Sequence, residues 1–155
     1  GIGLSAAQGM AMGLKLNNSP ARVYAVLGDG ELDEGTVWEA AMSAPKYKLS
    51  NLTAIVDYNK VQLDGTTDEI MPIRDLSAKW HSFGWNVIEC NGHDFKELTA
   101  ALDASEKIND GPVVIIASTV KGKGVSFMEG KAAWHGKPLS DEDLAKAIAE
   151  LGGEN

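Results

Sequence analysis

The sequence predicts an α/β fold, a three-layer parallel sheet with helices on both faces. Three observations predict it. Short apolar or β-branched runs at residues 23–27, 52–58, 86–90 and 113–118 alternate with longer segments of helical character. The run at 113–118 is continuously apolar, the pattern of a strand covered on both sides. Two of the runs end in residues suited to a ligand: Gly28-Asp29-Gly30 after the first and Asp57-Tyr58-Asn59-Lys60 after the second. In an open parallel sheet such strand ends share one edge, reached by right-handed crossovers.

The elements follow in order. Residues 4–16 read as a helix rich in small residues (Ala6, Ala7, Gly9, Ala11, Gly13), able to lie close to a sheet or another helix. Residues 17–20 are a turn and 23–27 the first strand. A helix over 36–49 places Trp38, Ala41 and Met42 at i, i+3 and i+4, and Pro45 is expected to bend or interrupt it. Residues 52–58 form the second strand and 61–72 a polar loop. Asp75 caps a helix over 76–83, which Gly84 ends. The third strand is 86–90. Asp94 caps a helix through Lys107, and 113–118 is the fourth strand. A Gly- and Lys-rich loop over 121–138 precedes a last helix. Ser140 caps that helix, and Asp141, Glu142 and Asp143 suit its positive end.

The 155 residues fit a single domain, 1–155. The net charge of −8 disfavours nucleic acid and anionic membranes as partners. One cysteine, Cys90, forbids an intrachain disulfide and agrees with a cytoplasmic location. No apolar run is long enough to span a bilayer, and no secretory leader is visible. The chain opens without Met, directly in helix-like sequence, and is expected to lack its N-terminal portion.

The first strand-end turn carries Asp29, Glu31, Asp33 and Glu34. Two glycines permit close backbone approach, but these carboxylates would repel a bare phosphate. A divalent cation between carboxylate and phosphate removes the conflict, and Mg²⁺ favours one or two carboxylates plus substrate phosphates. Asn59, expected beside Asp29, would add an amide oxygen. Either residue taken alone also reads as an ordinary turn former. Lys121, Lys123, Lys131 and Lys137 make a local basic loop, open to a phosphosugar or simply solvated. His81 reads as a surface or packing residue. His93, in Asn91-Gly92-His93-Asp94, reads as a turn or cap residue.

The stretch Gly28-Asp29-Gly30-Glu31-Leu32-Asp33-Glu34-Gly35-Thr36-Val37-Trp38-Glu39-Ala40, followed by Asn59-Lys60-Val61-Gln62-Leu63-Asp64-Gly65, resembles the thiamine-diphosphate motif of transketolases. The likeness runs nearly end to end, through Gly84-Trp85-Asn86-Val87 and Trp134-His135-Gly136. It is closest to the N-terminal subunit of split bacterial transketolases. The resemblance implies Mg²⁺ (or Ca²⁺) held by Asp29, Asn59 and the Val61 carbonyl. It implies cofactor contacts from Gly28, Asp29, Gly30, Asn59 and His135, with Gly30 offering its N–H to a phosphate. His135 would be an acid/base or phosphate donor. Glu34 would join an acidic network across the dimer interface, facing the glutamate that activates the cofactor. The implied reaction is two-carbon ketol transfer between sugar phosphates. The implied partner, in a homo- or hetero-oligomer, is the complementary C-terminal subunit. A deoxyxylulose-phosphate synthase, one chain of a 2-oxoacid dehydrogenase and a non-catalytic phosphate-binding fragment remain open as alternatives.

Overall fold

A computed structural model describes residues 1–152, so the last three residues of the expected 1–155 domain lie outside the described part. A four-stranded sheet forms the centre: β1 (Val23–Gly28), β2 (Leu52–Tyr58), β5 (Asn86–Asn91) and β6 (Val113–Ser118), ordered β1-β2-β6-β5 and parallel throughout. The α/β expectation holds. Its helices are α1 (Ile2–Leu16), α2 (Gly35–Lys46), α3 (Thr67–Ile70), α4 (Leu76–Ser82), α5 (Phe95–Lys107) and α6 (Asp141–Glu150). No helix among the described residues is long and apolar enough to cross a membrane.

Alternation along the strands divides the core. Ala25, Leu27, Ala54, Val56, Val114 and Ile116 face α1, α2 and α4 in the larger cluster. Val113 and Ile115 face α5, with Ala101 and Leu102. Residues 113–117 of β6 are therefore all buried. Helices do lie on both faces, but the α5 side is covered mainly over β5 and β6. β1 alternates instead, with Val26 72 % exposed.

Several expectations are corrected. In α1, Leu4, Ala7 and Ala11 are the buried residues, whereas a Cβ at Gly9 or Gly13 would meet nothing within 4 Å. The alanines make the close packing, and those glycines face open space. In α2 the buried side is Val37, Ala40, Ala41 and Ala44, and Met42 lies past its border, exposed. The loop 61–72 contains structure: β3 (Val61–Gln62) pairs antiparallel with β4 (Gly65–Thr66), and α3 follows with a Thr66/Glu69 capping box.

Pro45 sits in the last turn of α2 without interrupting it. Proline lacks the N–H that would bond the carbonyl four residues earlier, that of Ala41. The indole Nε1–H of Trp85 donates to this carbonyl instead, buried and at 2.7 Å. Trp85→Phe should strand the Ala41 carbonyl and cost about 1–3 kcal/mol. Adding Pro45→Ala, which restores an amide donor in the helix, should recover much of that loss. Urea unfolding of the two single variants and the double variant measures it. Equal losses in both backgrounds would contradict the pairing.

Candidate functional site

Strand register positions the site. Gly28 of β1 pairs with Asp57 of β2, so Asp29 and Asn59 leave adjacent strands at the same edge. The adjacency expected from the sequence is present. Asp29 caps the one-turn helix Gly30–Asp33 and is 1 % exposed. One carboxylate oxygen accepts Gly30 N–H at 2.8 Å, and the other accepts Lys60 N–H. Lys60 has φ of 63°, an uncommon conformation for a residue with a side chain, and this turn brings its amide back to Asp29. Asn59 Oδ1 accepts Val61 N–H at 3.0 Å, so Asn59 does form a turn while also lining the site.

These residues border a cleft of about 440 Å³ lined by Gly28, Asp29, Gly30, Asn59, Val61 and His135, with Glu31, Glu34, Asp57, Gln62, Leu63 and Lys121. Every residue named from the sequence as a cofactor or metal contact thus borders one space. The Gly30 N–H, expected to meet a phosphate, here donates to Asp29. Gly30 has a further reason to be glycine: a Cβ there would stand 2.7 Å from Gln62 Cβ. Gly30→Ala should push the β3–β4 hairpin outward and lower stability by about 1–3 kcal/mol. Gln62→Gly, which removes that Cβ, should recover part of the loss in thermal unfolding. No recovery would contradict the contact.

The carboxylates of the turn separate into distinct environments. Glu31 accepts Gly28 N–H at 3.2 Å, and Asp33 accepts from Gln62 Nε2 at 3.1 Å. Glu34 precedes α2 but makes no capping bond with its side chain. It is 57 % exposed. Asp29 alone is buried. Burial raises its pKa above the ordinary carboxylate value, the Lys60 and Gly30 amides oppose the rise, and nearby Asp57 adds to it. Asp57 accepts the Thr119 hydroxyl.

The basic loop separates in the same way. Lys123 pairs with Glu129 at 3.3 Å, Lys131 donates to Phe127 O, and Lys137 lies 4.1 Å from the Trp134 ring centroid. Only Lys121 among these four lines the cleft, where its Nζ meets His135 Nδ1 at 3.2 Å. His81 is exposed, as expected of a surface residue. Asp57 and Lys121, the latter alike in sequence to the other three lysines of the basic loop, join the residues expected at the cleft. Asp57 carried a signal, since it stands at a strand end two residues before Asn59.

The donors fit a hard cation. A buried carboxylate with a raised pKa is a costly group that a cation would relieve. Asn59 and Val61 line the same cleft, and an amide oxygen and a backbone carbonyl are donors of the kind Mg²⁺ and Ca²⁺ accept. Among the described residues no group of three or more His, Cys, Asp or Glu could hold a metal by itself.

The family model described as "Transketolase, thiamine diphosphate binding domain" matches residues 2–155. The chain is 45 % identical over 151 residues to the 6-deoxy-6-sulfo-D-fructose transketolase subunit of Clostridium sp. (strain MSTE9), covering 97 % of this chain and 55 % of that protein. It is 41 % identical to an apulose-4-phosphate transketolase subunit of Phocaeicola vulgatus, covering 97 % and 54 %. The chain therefore spans about half the length of these relatives. The crystal structure of Campylobacter jejuni transketolase superposes with a TM-score of 0.93 at 32 % identity, over 99 % of this chain and 25 % of that one. With the match running from residue 2 to residue 155, the chain belongs to the transketolase family, as its thiamine diphosphate binding domain.

Proposed function

We propose that this chain is the metal- and diphosphate-holding half of an enzyme that moves a two-carbon ketol unit from a ketose phosphate to an aldose phosphate. The observation that carries this reading is Asp29, a carboxylate 1 % exposed at the end of β1, bordering one cleft with Asn59 and Val61. Asp29, Asn59 and the Val61 carbonyl would hold Mg²⁺ or Ca²⁺. Diphosphate oxygens and water would complete its shell. Thiamine diphosphate, when bound, supplies the carbanion-stabilising chemistry. The protein supplies charge and orientation. Lys121 and His135 put positive charge and an N–H donor beside the cleft, opposing the charge of a phosphorylated ligand. Glu34, exposed at the cleft rim, would join an acidic network with a second chain.

The relatives named as transketolase subunits support a partner chain that complements this one. The single cysteine supports a cytoplasmic location. The test is ketol transfer from xylulose 5-phosphate to ribose 5-phosphate, with thiamine diphosphate and Mg²⁺, with and without the complementary chain. The isolated chain should bind the cofactor weakly and transfer nothing, because on this reading it forms only one wall of a pocket that the complementary chain completes. Robust turnover by the chain alone would contradict this.

A pH dependence follows from Asp29. Its pKa in the fold is raised above the unfolded value, so the cation-free fold gains from its protonation. That gain is lost as pH rises through the raised pKa. A bound cation requires the ionised carboxylate. Mg²⁺ with thiamine diphosphate should therefore raise the melting temperature of the partnered protein above this transition and progressively less below it. The loss should begin at a higher pH than an ordinary aspartate, with pKa of about 4, would give. Thermal melts across the acidic range, with and without the ligands, measure it. An increment independent of pH would contradict it.

A further inference from the structure

The turn between β5 and α5 does not line the cleft, yet it grips the strand end that supplies one of the cleft's walls. Asn91 Oδ1 accepts His93 N–H at 3.0 Å, Gly92 N–H donates to Ser118 O at 2.8 Å, and His93 Nε2 accepts Val120 N–H at 2.7 Å. The His93 backbone is thus the turn residue expected from the sequence, but its ring has a separate partner. A Cβ on Gly92 would lie 2.5 Å from Thr119 Cγ2 and 3.1 Å from Ala117 Cβ, so the turn rests directly against this segment. From the other side, Thr119 N–H donates to Tyr58 O at 3.2 Å, and its hydroxyl donates to Asp57. Residues 118–120 are held between the end of β2 and the β5–α5 turn. The next residue is Lys121, whose ammonium meets His135 at the cleft.

We propose that His93 is a positioning residue: by holding the Val120 amide it sets the Lys121–His135 wall, and through that wall the cleft's grip on a diphosphate. The inference rests on the diphosphate reading of the cleft given above. It makes a chemical demand. An imidazole accepts at Nε2 only when it is neutral and carries its proton on Nδ1. The role therefore belongs to an acceptor at that reach, not to the bulk of a ring. Glutamine places an amide oxygen at comparable reach, whereas leucine fills space and accepts nothing.

The experiment compares wild type, His93→Gln and His93→Leu in the enzyme assembled with its complementary chain. Three readouts are taken: hydrogen exchange at the Val120 amide, the ring resonances of His135, and thiamine diphosphate affinity at fixed Mg²⁺. In His93→Leu, exchange at Val120 should quicken about tenfold, the His135 signals should move, and affinity should fall roughly fivefold, the order of one net hydrogen bond. His93→Gln should restore all three. Wild-type exchange and ring signals in His93→Leu would overturn the proposal, and so would His93→Gln failing as leucine does. A wild type that binds no thiamine diphosphate would overturn the diphosphate reading, and with it the effect on affinity. Exchange and ring signals need no ligand, so they report separately on whether His93 holds the wall.

Discussion

Replacing Asp29 or Asn59 by alanine, in the partnered enzyme, is expected to abolish Mg²⁺-dependent thiamine diphosphate binding while the fold persists. The two side chains leave paired strands at one edge and border one cleft. A cation there would have the Asp29 carboxylate as its only charged ligand from this chain, with Asn59 completing the side-chain set. Loss of groups that merely orient metal ligands already costs about 10–100-fold in affinity. Loss of a ligand itself should cost at least the upper end of that range. Asp29 also accepts the Gly30 and Lys60 amides, so its variants should melt somewhat lower. A cooperative unfolding transition separates weakened binding from a lost fold. Calorimetry showing unchanged cofactor affinity in both variants would remove the metal assignment.

His135→Ala should lower turnover by at least about tenfold, within the range for a positioned acid/base or donor group. His135 follows the one-turn helix Ala132–Trp134, and its Nδ1 stands 3.2 Å from Lys121 Nζ. An ammonium has only protons to offer, so Nδ1 accepts and the ring proton of a neutral imidazole sits on Nε2. That leaves Nε2–H as a donor for a phosphate or a substrate hydroxyl. Alanine offers no donor at any pH, so the loss should persist across pH values from about 6 to about 9. Wild-type kinetics throughout that window would refute the role.

Much of the arrangement was legible in the sequence because strand ends are. Asp29 and Asn59 each follow an apolar run, and parallel strands bring such ends to one edge. The caps at Asp75, Asp94 and Ser140 were legible for a similar reason, since each bonds backbone amides within three residues. What stayed hidden depends on distant pairs. The indole that satisfies Ala41 lies 44 positions away. Strands β3 and β4 have two residues each, too short for any periodicity to show. Lys121, Lys123, Lys131 and Lys137 are alike in the sequence, and they separate only through the partners each meets in the fold. Gly9 and Gly13 looked like packing residues because small side chains permit close contact, but permission is not contact.

The most direct test of the central claim is a crystal structure of the partnered enzyme with thiamine diphosphate and Ca²⁺, using anomalous scattering to locate the cation. A calcium peak is expected at about 2.3–2.6 Å from oxygens of Asp29, Asn59 and the Val61 carbonyl. Oxygens of the diphosphate should complete its shell. A diphosphate bound away from this cleft, or bound within it with no cation beside Asp29, would contradict the account.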